Sequence, residues 1–128
     1  MDLERKVRAV EEILGVEVSI RYTQEGYPIG LVCNDWELRG KRFECDLSPP
    51  SKYRWQVDHF HARIYKERGQ EVFRRQRGLC GICGGKMAGT SNTEIDHIET
   101  RGAHGRSDVM SNLRAVHGNP CHRKRHGG

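Results

Sequence analysis

The feature that most constrains this chain is the run from Cys80 to His126, where metal-ligating side chains recur at short intervals. Cys80-Gly-Ile-Cys83 sets two thiols three residues apart, and Gly84-Gly85 lets the backbone turn tightly after them. His117-Gly-Asn-Pro-Cys121 supplies a second half-site, with Pro120 stiffening its loop. Together they make a Cys₃His set, which suits a tetrahedral structural zinc. A redox role for Cys80 and Cys83 would need a thioredoxin-like βαβ context, and the surrounding pattern lacks one. Cys80, Cys83, His117 and Cys121 are therefore read as ligands of a structural Zn²⁺, which closes residues 84–116 into a loop-and-hairpin insertion.

A metal staple fits the composition. Hydrophobic residues are 35% of the 128 and charged residues 30%, so the apolar core is modest. The length suits one domain, or one core plus a small metal-stapled module. The net charge of +5 and pI of about 9.1 favour a polyanionic partner, nucleic acid first among them. No run of 18 apolar residues exists, so no membrane span is expected, and Met1-Asp-Leu-Glu-Arg lacks the apolar core of a secretory signal. Five cysteines without such a signal point to a reducing compartment. The expected location is cytoplasmic, in a bacterium or a phage-infected host cell.

Before Cys80 the pattern is that of a small helix-and-sheet unit. Leu3, Val7, Val10, Ile13 and Leu14 recur at helical spacing and stop at Gly15. Val16 to Thr23, Ile29 to Cys33 and Trp36 to Leu47 read as three antiparallel strands separated by turns. Cys33 and Cys45 fall in the strand patterns and are read as buried thiols. Ser48-Pro-Pro-Ser51 breaks the chain, and Ser51 is a candidate cap. The boundary is placed here, giving a 1–50 module and a 51–128 domain. Residues 52–68 then read as a helix with Tyr53, Val57, Phe60 and Ile64 in one stripe. Gly69 is expected to interrupt it before Glu71 to Arg77 resumes, with Arg74, Arg75 and Arg77 outward. His59 and His61, which have no second half-site nearby, are taken as surface or packing residues.

Between the half-sites lies a second constellation. Ile95 and Ile98 bracket Asp96-His97 in a strand-like segment from Thr93 to Glu99. A polar loop spans 100–111, Asn112 to His117 forms the return strand, and Pro120 opens a short helix carrying His122 and His126. Strand, loop, strand and helix make a ββα unit. In a regular strand Asp96 and His97 point to opposite faces, so a bulge or twist is expected to bring both to one cleft.

Over residues 70–126 this arrangement resembles the HNH endonuclease family. The resemblance rests on Asp96, His97, Asn112 and His122, and on Gly105-Arg-Ser-Asp108 preceding Asn112-Leu113. Many members carry two Cys-x-x-Cys half-sites around the unit. This chain departs from them in placing His117 where the third Cys falls, one residue further from Cys121. The resemblance implies a C-terminal ββα-metal unit stapled by zinc; with the N-terminal helix plus small antiparallel sheet and the following helix read from periodicity, the expected fold class is α+β. The resemblance also implies a catalytic divalent metal, Mg²⁺ or Mn²⁺, held by Asp96 and His122; some members add a third His at the spacing of His126, which is here either that third ligand or an exposed residue. It implies His97 as general base, a task its ordinary pKa suits, and Asn112 as orienter of the His97 strand. The implied reaction is phosphodiester hydrolysis in duplex DNA, leaving 5′-phosphate and 3′-hydroxyl ends. Arg101, His104, Arg106, Arg123, Lys124 and Arg125 are candidate phosphate contacts. A monomer would nick and a two-fold dimer could cut both strands. The rival reading is a non-catalytic zinc-binding module for nucleic acid or protein, which needs only the Cys₃His set.

Overall fold

The structure is a computed structural model and describes residues 2–89, 91–102 and 106–126. It is α+β, with two small antiparallel sheets joined through one long helix. Helix α1 (Asp2–Leu14) buries Leu3, Val7, Val10 and Leu14, a stripe that repeats every turn or two on one face. It stops at Gly15, whose φ of +67° is open to glycine and strained for other residues. A Cβ there would also lie 2.9 Å from Val109 Cγ1.

Strands β1 (Ser19–Tyr22), β2 (Pro28–Asp35) and β3 (Lys41–Asp46) form a meander in the order β1-β2-β3. Trp36–Leu38 was expected to begin the third strand and is instead a 3₁₀ turn. The reason is local: the Asp35 carboxylate accepts the Glu37 N–H at 3.0 Å, offering the backbone a cap in place of the ladder.

Helix α2 (Tyr53–Arg75) runs unbroken for 23 residues, so the expected interruption at Gly69 does not occur. Glycine here serves close approach. A Cβ on Gly69 would meet Ile95 Cγ1 at 3.0 Å, which outweighs a helix-propensity cost of about 1 kcal/mol. Ser51 does not cap α2 either. The helix is entered through a 3₁₀ turn at Pro50–Lys52 without a side-chain cap.

The first half of α2 contributes Val57, Phe60 and Ile64 to the main core, against α1 and the meander. Beyond it, β4 (Thr93–His97) pairs antiparallel with β5 (Leu113–His117). A π-type turn at Gly118–His122 then leads into the short helix α3 (Arg123–Arg125). A small cluster of Cys80, Met87, Ala115, Val116 and Cys121 underlies this part, with Phe73 and Ile95 packed on it. No helix among the described residues is long and apolar enough to cross a membrane.

Arg68, fully buried in the second half of α2, ties the parts together. Its Nε and Nη2 donate to Asp35 Oδ2 and Oδ1 at 2.8 and 2.9 Å, a bidentate pair. Its Nη1 donates to the carbonyls of Leu14 and Asp108, both at 2.8 Å, and lies 3.0 Å from Glu37 Oε2. Replacing Arg68 with Ala strands the buried Asp35 carboxylate and is expected to cost about 3–5 kcal/mol in urea unfolding. A loss below about 1 kcal/mol, the scale of an exposed pair, would count against this node.

Candidate metal centres

The first centre is built by two backbone turns. Cys80 N–H donates to Gly85 O at 2.8 Å and Gly84 N–H to Cys80 O at 2.9 Å, which folds Cys80–Cys83 into a tight loop. The Gly81 N–H donates to Ala115 O at 2.9 Å and lays this loop on β5. Cys80, Cys83, His117 and Cys121 then present ligand atoms within 4.8 Å of one another and could hold a metal. The spacing fits zinc. Tetrahedral Zn–S and Zn–N bonds put a sulfur and a nitrogen roughly 3.6 Å apart. His117 Nδ1 lies 3.4 Å from Cys83 Sγ and 3.7 Å from Cys121 Sγ. His117 Nε2 faces the Lys86 carbonyl at 3.2 Å, an acceptor that keeps the proton on that nitrogen and leaves Nδ1 for a metal.

The thiols are already polarised. Burial pushes Cys80 up, but N–H donors from the Cys83 region, His117 and Ile82 outweigh it and bring the thiol to about 6. Cys121 goes the other way, to about 11, through burial and its neighbouring sulfurs. Sulfurs crowded this closely share protons poorly, and a dication that replaces the protons relieves the conflict.

The second centre follows from the two-residue period of β4. Ile95 and His97 face α2, while Glu94 and Asp96 face the C-terminal turn and α3. The Asp96 side chain is fully buried. Its oxygens receive Arg114 Nε at 2.9 Å from the directly opposite β5 position and Arg125 Nε at 2.9 Å from α3. His126 Nε2 lies 2.9 Å and His122 Nε2 3.5 Å from Asp96 Oδ1. Burial works against ionisation of Asp96, but the His126 and Arg114 hydrogen bonds and the charge of Arg125 outweigh it. They hold the carboxyl below its ordinary 3.8.

Asp96, His122 and His126 could hold a metal, their donor atoms all lying within 4.8 Å. Glu94 Oε2 sits 3.1 Å from His122 Nδ1 and turns Nε2 toward Asp96, the usual arrangement behind a metal-ligating imidazole. His122 and His126 also line an open cleft of about 650 Å³ with Glu94, Asn92, Asn119 and Arg123.

His97 lies on the other face. The expected bulge or twist is absent: Asp96 pairs with Arg114 and His97 with Leu113 in unbroken register. His97 Nε2 meets Asp108 Oδ1 at 2.6 Å, and its ring stacks on Tyr65 with centroids 5.7 Å apart. Asp108 Oδ2 takes His61 Nε2 at 2.7 Å, so His61 is a partner in this cluster and not the mere surface or packing residue expected. The three line a second open cleft of about 530 Å³ with Asp58, Tyr65 and Arg106. Burial opposes ionisation of Asp108, and the bonds from His61 and His97 overcome it, holding the carboxyl below its ordinary 3.8.

Asn112 spans the loop between β4 and β5. Its Oδ1 accepts the Glu99 N–H at 2.7 Å, and its Nδ2 donates to the Glu99 and Ser107 carbonyls at 3.0 and 2.8 Å. Arg101, Arg106, Arg123 and Lys124 are exposed, while His104 lies outside the described residues. Arg125 is not a free phosphate contact. Besides Asp96 it donates to the His97 and Ile98 carbonyls at 3.2 and 2.8 Å. The sequence reading missed Glu94, Arg114, His61 and the role of Asp108. Only Glu94 carried a signal, two residues before Asp96 on the same strand face.

The first centre predicts one tightly held zinc per chain by elemental analysis. His117→Ala should lose it and melt the 80–126 region; retention of stoichiometric zinc by that variant would remove His117 from the set. Asp108 predicts an acid effect. Its folded pKa is depressed, so its stabilisation is complete above the unfolded value of about 3.9 and is lost as pH falls through the folded value. Asp108→Asn should therefore lose less stability than wild type as pH falls below about 4, measured by urea midpoints. Equal acid losses would contradict the assignment.

No curated protein and no solved structure matches the chain. A family model does, over the segment that holds both centres and the Asp108–His97 pair. The resemblance read from the sequence is thus met by a direct match: residues 80–128 are a match to the HNH endonuclease family.

Proposed function

We propose that this chain is a metal-dependent endonuclease that hydrolyses phosphodiester bonds of duplex DNA. The observation that carries the reading is the juxtaposition of Asp96, His122 and His126, with His97 the next residue along the same strand. Asp96, His122 and His126 would hold one divalent ion, Mg²⁺ or Mn²⁺. A carboxylate with two imidazoles favours Mn²⁺ over the harder Mg²⁺. Such an ion supplies charge neutralisation at the scissile phosphate and stabilisation of the leaving oxygen.

His97 serves as the general base, taking a proton from the attacking water. Its side chain and that of Asp96 leave opposite faces of β4, yet their Cα atoms are about 3.8 Å apart. Among the described residues β4 pairs with β5 alone, so no second strand covers its other edge, where Arg125 reaches the His97 carbonyl. A phosphate seated at that edge is approached from one face by the metal ligands and from the other by His97. Exposed Arg106 on the His97 side and Arg123 on the His122 side supply positive charge in each cleft. Asn112 ties the ends of the intervening loop and holds the end of β4 in place.

One observation favours the rival, a zinc-binding interaction module without catalysis: Arg114 and Arg125 already neutralise Asp96. Metal stoichiometry and cleavage separate the two. Supercoiled plasmid should be nicked or linearised with Mn²⁺ or Mg²⁺ and left intact with EDTA. His97→Ala should slow cleavage by about 10²–10⁴-fold, the usual contribution of a general base. Cleavage at the wild-type rate by His97→Ala would remove His97 from that role. A folded, zinc-loaded wild type that binds no second metal and cleaves no DNA would leave the interaction module.

A further inference from the structure

We propose that Asp108 is a positioning residue for His97, and that the part of the chain before Cys80 acts on the site by fixing Asp108. The proposal rests on the nuclease reading, in which His97 is the base. It starts from the way one carboxylate is divided between two rings. Asp108 Oδ1 takes His97 Nε2 and Oδ2 takes His61 Nε2, at 2.6 and 2.7 Å. An ionised carboxylate only accepts hydrogen bonds, so both Nε2 atoms must carry the proton. The acceptor nitrogen of a neutral His97 is then Nδ1. That is the form a proton acceptor needs, selected by Asp108 in the way a carboxylate selects the tautomer of a catalytic histidine in acyl-transfer triads. Tyr65, stacked on His97 with planes 13° apart, restrains the ring against rotation.

Asp108 is itself held from outside the matched segment. Its N–H donates to Ile13 O at 2.8 Å, and its carbonyl accepts Arg68 Nη1 at 2.8 Å. The next residue, Val109, packs where a Cβ on Gly15 would stand. Met110 N–H donates to Glu37 Oε2 at 3.0 Å. The end of α1, the 3₁₀ turn after β2 and two residues of α2 therefore set the position of one carboxylate. His61, Tyr65 and Gly69 follow one another at four-residue steps on α2 and face Asp108, His97 and Ile95 in turn. Residues 61–69 of α2 thus face the Asp108 loop and the inner side of β4.

The test uses the full, zinc-loaded chain and a labelled duplex oligonucleotide with Mn²⁺. Asp108→Asn should lower kcat by on the order of 10–100-fold, the usual size of an outer-shell loss, with KM within about twofold. Asp108→Asn/His97→Ala should be no slower than His97→Ala alone, because a residue that acts through His97 has nothing left to act on. His61→Gln, whose amide can donate the same bond, should stay near wild type, while His61→Leu should lose activity. Additive losses in the double variant, or wild-type kcat in Asp108→Asn, would overturn the proposal.

A readout independent of cleavage is long-range ¹H–¹⁵N NMR of the histidine rings, with His97→Ala used to assign the His97 signals. His97 should be the Nε2–H tautomer in the wild type and lose that preference in Asp108→Asn; an unchanged tautomer would overturn the proposal. An inactive wild type whose His97 tautomer still depends on Asp108 would sink the nuclease reading and support the positioning role. If Asp108→Asn fails to fold, judged by melting and zinc content, the same comparison is made with Asp108→Ser, which likewise removes the carboxylate that His97 faces.

Discussion

The buried bidentate pair of Arg68 and Asp35 is the interaction on which the rest of the structure depends. Taking two charges out of water costs several kcal/mol per ion before any attraction is counted, so such a pair is weak evidence of stability for its own sake. Its value here lies in geometry. The Asp35 carboxylate uses both oxygens on Arg68, and the remaining guanidinium donor binds the carbonyls that end α1 and flank the Asp108 side chain. An apolar residue of the same volume could fill the space but could not direct three chain segments to fixed positions around α2. The cost of desolvation is met by complete pairing: no buried side-chain nitrogen or oxygen among the described residues lacks a partner.

Next to that node lies β4, where the alternation of a regular strand divides the chemistry. Residues 95 and 97 belong to α2 and the Asp108 loop; residues 94 and 96 belong to the C-terminal turn and α3. Each face has its own carboxylate with two imidazoles, Asp108 with His61 and His97 on one side and Asp96 with His122 and His126 on the other. They differ in geometry. On Asp108 each ring has its own oxygen, which spreads the nitrogens apart and makes hydrogen-bonded pairs. On Asp96 both rings converge on Oδ1, and Glu94 backs one of them. Convergence on a point is what a metal site requires, and divergence is what an orienting carboxylate requires.

How much of this was legible depended on whether the signal was local. Spacing alone brought together Cys80, Cys83, His117 and Cys121, because half-sites are short-range features. The i, i+4 spacing likewise put His122 and His126 on one face. The helix ending at Gly15 and the antiparallel meander were readable from periodicity. Trp36 was misread because its hydrophobicity fitted the strand alternation, whereas the Asp35 cap ended the strand; the ring is 68% exposed. Gly69 was misread because its role depends on Ile95, 26 positions away. His61 and Asp108 were out of reach for the same reason. Their contact spans 47 positions, and neither residue's neighbours in sequence mark it.

The same physics explains why the C-terminal unit leans on the rest of the chain. A two-stranded ribbon is marginal in water by itself, and a helix as short as α3 is far below the length at which isolated helices persist. The cluster beneath the first centre has five buried residues with Phe73 and Ile95 at the margin, two of the five being cysteines of that centre, while Met110 and Leu113 pack instead against Val72 of α2. A zinc held by Cys80, Cys83, His117 and Cys121 would close that cluster, but these residues meet at β5 and would not fix the opposite face of β4. Rigidity there has to come from a surface already folded. The α2 helix provides it, because its first half is locked into the main core by Val57, Phe60 and Ile64 while its second half presents Tyr65, Arg68 and Gly69 to the ribbon and the Asp108 loop. A site that needs its groups held within fractions of an ångström is thereby assembled from elements too short to hold themselves.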